Sequence, residues 1–277
     1  MDWNKTKTIF IIVFSILNVF LYSMYVNKYN EDKKVELIGE ADISTRLKDE
    51  HITVKDQVEE SQNVSYISGK IKQFTQDELS HLPNQHIQIH NNGTELFAKI
   101  ISPTPLTKIT DESLTDFVEH NVYKGDSYKL WKINEEEKEA VFFQSSDNRM
   151  IYYNQNAEIK IHWNNDLEIT RYEQKMFDSL KSFGEKYTLN STQKAVRVIF
   201  DKGYLMANST VTKTQLGYST LVPLTETQVL SPTWYIHVVF PKDKNGDEKQ
   251  ADYFVNAVDG TIVDIEQNAK ESELQKQ

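Results

Sequence analysis

The sequence predicts an α+β protein: one N-terminal transmembrane helix, then two extracellular modules of antiparallel sheet with packed helices. Three observations carry this reading. Ile9 to Val26 is an uncharged run of 18 residues. From Val64 to Phe177, short segments alternate apolar and polar residues between Asn, Asp and Gly turns, the period-2 pattern of half-buried strands. A helix opened by Ser191 then precedes a second group of strands that closes on Asp259-Gly260, a hairpin signature.

At about 1.5 Å per residue the uncharged run forms a helix about 27 Å long, close to the hydrocarbon thickness of a bilayer. Lys5 and Lys7 precede it, and Lys28, Lys33 and Lys34 follow. A secretory signal would carry a shorter core, about 7–15 residues, and then a small-residue cleavage step. Ser23 to Lys28 offer no such step, so an uncleaved anchor is expected, with Tyr22 and Tyr25 suited to an aromatic belt. The flanking lysines are nearly balanced and leave orientation open. The short tail has no room for a domain, however, so the remainder is expected outside the cell. The predicted organisation is a tail (1–8), the anchor (9–26), a juxtamembrane stalk or helical continuation (27–41), a first module (42–180), a second (181–268) and a polar tail (269–277). The chain has no cysteine, which fits an extracytoplasmic domain in an organism that does not rely on disulfides there.

Asn18 stands at the middle of the anchor, with Ser15 three residues before it and Tyr22 four after, so all three share one helix face. A carboxamide facing lipid leaves donors and acceptors unpaired, so such residues usually face another helix. Either Asn18 is tolerated on a lone anchor, or the face meets a partner helix. A single-pass helix has no partner in its own chain, which favours the second reading and makes Ser15, Asn18 and Tyr22 the candidate partner-binding residues.

The 277 residues are 26% charged and 11% aromatic, the composition of folded material. Net charge is −10; the first 34 residues hold five lysines against three acids, so the rest carries −12. Anionic lipid, anionic wall polymer and nucleic acid all repel such a domain, and nucleic-acid binding is set aside.

Taken in order, Asp42 opens a short helix, and Val64 to Phe74 alternate as a strand. Thr75 caps a helical turn that ends before Pro83. Runs from His86 to His90 and from Thr94 to Ile101 flank Asn91-Asn92-Gly93 as a hairpin. Asp111 to His120 form an amphipathic helix. Strands follow over 128–133, 140–144, 150–153, 159–163 and 167–177, an antiparallel meander with one face under helices. Leu180 to Asn190 lack periodicity and mark a boundary. A helix presenting Ala195, Val198 and Ile199 comes next, then strands over 211–222, 234–240, 253–258 and 261–265.

Chemistry is not supported. His86 and His90 sit on a strand, where residues four apart lie about 13 Å apart, too far to share one ion. Asp243 to Glu248 superficially suggest a calcium loop, but glycine falls fourth and position twelve is Phe254. Without cysteine, thiol catalysis is impossible, and nine glycines place none in a phosphate-binding pattern. No catalytic residue, cofactor or metal site is expected, and the chain is not read as an enzyme.

Several segments, in order along the whole chain, resemble the YycI (WalI) family of membrane-anchored regulators in low-GC Gram-positive bacteria. They are Met1 to Phe10 with Trp3 and its lysines, Asn18 in the anchor, Tyr66 to Gly69, Leu216-Gly217-Tyr218, Leu230 to Ile236 and Val255 to Gly260. The family usually has Val-Pro-Ala-Trp where this chain runs Leu230-Ser231-Pro232-Thr233-Trp234, keeping Pro-x-Trp. The resemblance implies a cytoplasmic N-terminus and an extracellular YycH/YycI-like ectodomain. It further implies a regulatory role on the WalK/WalR two-component system of cell-wall metabolism. The partners it implies are the sensor kinase WalK, the related protein YycH and the lipid bilayer, with helix contacts inside the membrane. The last strands also resemble a PepSY module. That supplies a rival expectation, an extracellular ligand- or protease-binding module with the anchor as a simple tether.

Overall fold

Between Trp3 and Asp49 there is no proline and one glycine, Gly39, so nothing forces a helix to stop. In the computed structural model this segment is a single helix, α1 (Trp3–Asp49), about 70 Å long at the ordinary rise. The separate helix expected from Asp42 is instead its last two turns. Arg46 and Lys48 suit the negative end of the helix. His51, with φ 56°, turns the chain left-handed, and Ile52 N–H donates back to the Leu47 carbonyl at 2.8 Å, closing the end. The structure describes residues 3–55, 62–103, 105–220 and 226–264, without the side chains of 4–6, 9 and 27–42. It divides into two units, 1–53 and 54–277.

After the junction strand β1 (Thr53–Val54), the second unit runs β2 (Asn63–Ile71), α2 (Gln76–Leu79), β3 (Gln85–His90), β4 (Glu95–Ile100) and α3 (Asp111–Asn121). It continues with β5 (Tyr128–Asn134), β6 (Glu139–Ser146), β7 (Arg149–Met150), β8 (Glu158–Trp163), β9 (Ile169–Gln174) and β10 (Phe177–Thr188). The last elements are α4 (Thr192–Asp201), β11 (Thr210–Thr220), β12 (Thr227–Val239) and β13 (Gln250–Asn256). The protein is thus a mixed α+β chain whose second unit holds two antiparallel sheets.

The first sheet has the order β3-β4-β9-β8-β6-β5, with β7 on β6. Its alternation is visible in β8, where Ile159, Ile161 and Trp163 are buried between half-buried neighbours. Leu96, Ala98, Phe142, Ile159, Ile161 and Tyr172 form one core with Leu114 and Val118 of α3. Thr110 caps α3 by accepting from Ser113 N–H at 3.2 Å. Asn91 and Asn92 turn the β3–β4 hairpin with φ of 51° and 54°, a conformation asparagine tolerates.

The second sheet is built around β12. Leu230 to Val239 pair with β11; Thr233 to Val239 also pair with β13, and Thr227 to Leu230 pair with β2. β10 then adds to β2. Ser191 accepts from Lys194 N–H at 3.3 Å to start α4, which lies against β12 and β13. α4 buries Ala195, Val196 and Ile199; the expected Val198 is half-buried.

Two expectations are corrected here. The boundary read at 180/181 falls inside β10, because the polar run after Leu180 is an exposed edge strand rather than a linker. Division by position also fails for β2, which lies early in the chain yet pairs with β12 and β10. Leu167, with φ 59°, belongs to a turn, so the strand expected over 167–177 is two strands, β9 and the start of β10. The tail expected from residue 269 and the strand end at Ile265 lie outside the described residues.

The two sheets are fastened to each other by side-chain amides and one close crossing. The Gln144 amide donates to the Phe177 carbonyl at 2.9 Å and accepts from Phe177 N–H at 2.7 Å. Asn154 donates to the Gln228 side chain at 2.7 Å, and Tyr152 N–H donates to the Tyr218 carbonyl at 2.8 Å. The chain after β7 crosses β11 so closely that a Cβ on Gly217 would stand 2.3 Å from the Tyr152 ring and 2.5 Å from the Met150 carbonyl. Only glycine admits that approach.

Candidate functional site

On α1, Ser15, Asn18 and Tyr22 are all exposed on one stripe of a helix whose other described side chains between Phe10 and Tyr25 are exposed as well. A helix apolar on every side belongs in a protein core or in lipid. Among the described residues no helix is long and apolar enough to cross a membrane.

The second unit carries a feature no sequence motif announced. Trp131 of β5 lies at the centre of an aromatic cluster, 4.9 Å from Tyr235, 5.4 Å from Phe143 and 5.6 Å from both Tyr152 and Tyr153. Phe254 completes it, 5.2 Å from Tyr152. The indole N–H donates to the Tyr153 hydroxyl at 3.1 Å. Burial pushes the Tyr153 and Tyr235 hydroxyls above the usual phenol range, so both stay protonated. Tyr235 donates to Asp252 Oδ1 at 2.9 Å, and the same oxygen lies 2.6 Å from His237 Nδ1. Trp131 and Phe143 come from the first sheet, Tyr235 and Phe254 from the second, and Tyr152 and Tyr153 from the turn after β7. Their sequence spacing follows no fixed pattern, so no local signal could have found them.

Tyr153, 40% exposed, opens the cluster onto a groove of about 1180 Å³. Tyr204 and Tyr253 line it as a stacked pair, with centroids 5.3 Å apart and planes at 13°, beside Lys202 of the α4 C-cap. Gln250 to Phe254 of β13 and Gly260 to Asp264 of the segment after it also line the groove. Aromatic walls along a strand edge can hold an extended chain. They assemble no nucleophile with its base.

The histidines weighed in the sequence are spread out. His86 and His90 lie exposed on the edge strand β3, and among the described residues no group of three metal-ligating side chains converges. Asp243 Oδ1 accepts from Asn245 N–H at 2.8 Å and Asp247 N–H at 3.1 Å, so the calcium-like segment spends its first carboxylate on its own turn.

Residues 32–258 match the family model described as YycI protein. The chain belongs to the YycI family. The match begins at Asp32, after the apolar run of α1, and ends at Val258 in the loop after β13. YycI proteins are regulatory, associated with a two-component system, and are not known as enzymes. No curated protein matches the sequence. Among solved structures, an uncharacterized protein from Eubacterium rectale is similar at 11% identity, over 77% of this chain and 91% of that one, with a TM-score of 0.48. The Bacillus megaterium YpeB C-terminal domain is similar at 14% identity, over 69% and 96%, with a TM-score of 0.41. YycH from Bacillus subtilis is similar at 11% identity, over 67% and 52%, with a TM-score of 0.38.

Proposed function

We propose that this YycI-family protein is a non-enzymatic, membrane-anchored regulator of the sensor kinase WalK, acting together with YycH through contacts between transmembrane helices. The observation that carries the reading is the exposed apolar surface of α1 with Ser15, Asn18 and Tyr22 in one stripe. Exposed apolar side chains in that number need either lipid or other helices around them. The single carboxamide at mid-run then needs a hydrogen-bonding partner. Membership of the YycI family supplies the signalling context.

In this reading residues 9–26 span the membrane, the N-terminus is cytoplasmic and the two sheets lie outside the cell. Protease added to intact protoplasts should remove the second unit and leave a membrane-embedded fragment detectable through an N-terminal tag. Full protection of the chain would reverse the orientation.

The second unit acts by contact rather than by chemistry. His86→Gln together with His90→Gln should leave kinase output unchanged, measured with a reporter of the regulated promoters. Loss of output in a variant that keeps its folded circular-dichroism spectrum would reveal a site at β3.

The groove beside β13 favours a second reading, in which a PepSY-like ectodomain captures an extracellular ligand or protease and α1 is only a tether. Exchange of the anchor separates the two readings.

A further inference from the structure

The face of the first sheet turned away from α3 carries charge. Ala98 of β4, Tyr172 of β9 and Ile161 of β8 point into the core beneath α3. Their neighbours Lys99, Arg171 and His162 therefore share the opposite face. The strand register sets Lys99 opposite Arg171, Arg171 opposite His162, and His162 opposite Glu139 of β6. These four side chains form one row across the strands, with Lys99 and Arg171 exposed. Other charges on this face are matched. His162 lies 3.8 Å from Glu139, Lys160 lies 3.7 Å from Glu158, and Lys175 lies 3.0 Å from Glu95. Among the described residues no carboxylate stands within ion-pair distance of Lys99 or Arg171. Like charges directly opposite each other destabilise a sheet. Acids are not scarce in the chain, 41 against 31 lysines and arginines, yet none is set beside this pair.

We propose that the row Lys99, Arg171 and His162 docks the acidic face of a helix from a partner protein, laid across the strands. Charge selects the acids, and spacing selects the helix. Neighbouring strands lie about 4.8 Å apart, so the row from Lys99 to His162 covers about 10 Å. On a helix, residues i, i+4 and i+7 share one face and cover about 10.5 Å. Three alternate residues of an extended chain cover about 14 Å and overrun the row. The first two carboxylates meet Lys99 and Arg171, and the third meets His162. Burial and the Arg171 charge hold the His162 imidazole below its ordinary range, with Lys160 acting the same way and Glu139 and Glu173 opposing. A carboxylate beside it favours the imidazolium, so docking raises that pKa. Glu139, at the end of the row, rejects a fourth acid and suits a lysine at i+11. A helix so patterned carries little net charge, whereas the negative charge of the whole chain holds polyanions off.

The test titrates the full chain, in zwitterionic micelles, with an alanine-rich helical peptide bearing Glu at i, i+4 and i+7 and Lys at i+11. NMR of isotope-labelled histidine follows the His162 imidazole, assigned by its loss in His162→Gln. Saturating peptide should raise the His162 pKa, and Lys99→Glu/Arg171→Glu should weaken binding roughly tenfold or more. Carbodiimide, which condenses a carboxylate with an amine, should join the peptide to Lys99 ahead of the other lysines. Arg171→Gln relieves the repulsion and should leave the unfolding midpoint no lower than that of the unaltered chain. A lower midpoint would make the pair a structural one and contradict the proposal. Equal binding by the same peptide with Gln for its three Glu, or by an extended peptide alternating Glu and Thr, would overturn it. So would a His162 shift produced by inorganic polyphosphate or by phosphatidylglycerol vesicles and not by the helical peptide.

Discussion

Trp234→Ala is expected to lower the unfolding free energy by about 3–5 kcal/mol, the usual cost of removing a fully buried aromatic side chain. Trp234 is 0% exposed, at the centre of β12 between Leu216 of β11 and Val255 of β13. Its indole N–H donates at 2.8 Å to the carbonyl of Asn190, immediately before the cap of α4. One side chain therefore ties the middle strand to the start of the packed helix. Truncation opens a cavity and strands that carbonyl as well. A domain of ordinary stability holds about 5–15 kcal/mol, so the loss takes a large share of it. Trp234→Phe keeps most of the buried area and gives up the hydrogen bond, and should cost clearly less. Denaturant unfolding of the full chain in detergent micelles, followed by circular dichroism, checks the order of the three proteins. An unshifted midpoint for Trp234→Ala would contradict the role assigned to the indole.

Asn18→Leu should weaken capture of WalK or YycH roughly three- to fifteen-fold while the protein inserts normally. A hydrogen bond between helices inside a membrane contributes about 0.6 kcal/mol on average and up to about 1.7. About 1.4 kcal/mol corresponds to a factor of ten. At mid-bilayer neither headgroups nor water can replace the lost partner. Ser15→Leu, on the same stripe, should weaken capture more mildly by crowding. Phe20→Leu, on the opposite side of the helix from the stripe, should change little. Quantitative co-purification from membranes measures all three. Equal recovery would move recognition out of the membrane and into the second unit.

Local chemistry was legible in the sequence where local chemistry decides the structure. Asn91-Asn92-Gly93 turns its hairpin, Thr110 and Ser191 cap their helices, and the alternation from Glu158 to Trp163 marks a strand with one buried face. Pairing across the chain was not legible. Alternation tells which face of β2 is buried and says nothing about its neighbours, so its place between β12 and β10 could not be read. β10 escaped because an exposed edge strand with Gly184 at φ 75° lacks the alternation of a half-buried one. Of the stalk and the helical continuation read for residues 27–41, the structure has the continuation, and it joins the helix read from Asp42 without a break because a charged stretch without a proline does not stop a helix. The stripe of Ser15, Asn18 and Tyr22 follows from helical spacing alone. The groove depends on Tyr153, Tyr204 and Tyr253 meeting in space, and their spacing in the sequence gives no hint of it.

The claim that α1 is a recognition element rather than a tether is tested most directly by exchanging anchors. Residues 1–34 fused to an unrelated extracellular domain, and residues 35–277 behind an unrelated membrane helix, are expressed separately in cells that contain WalK and YycH. Each is then captured through a tag after mild solubilisation. The account predicts that the first chimera retains WalK and YycH and that Asn18→Leu within it reduces the yield. Capture by the second chimera alone, with the first inserted yet empty, would contradict it.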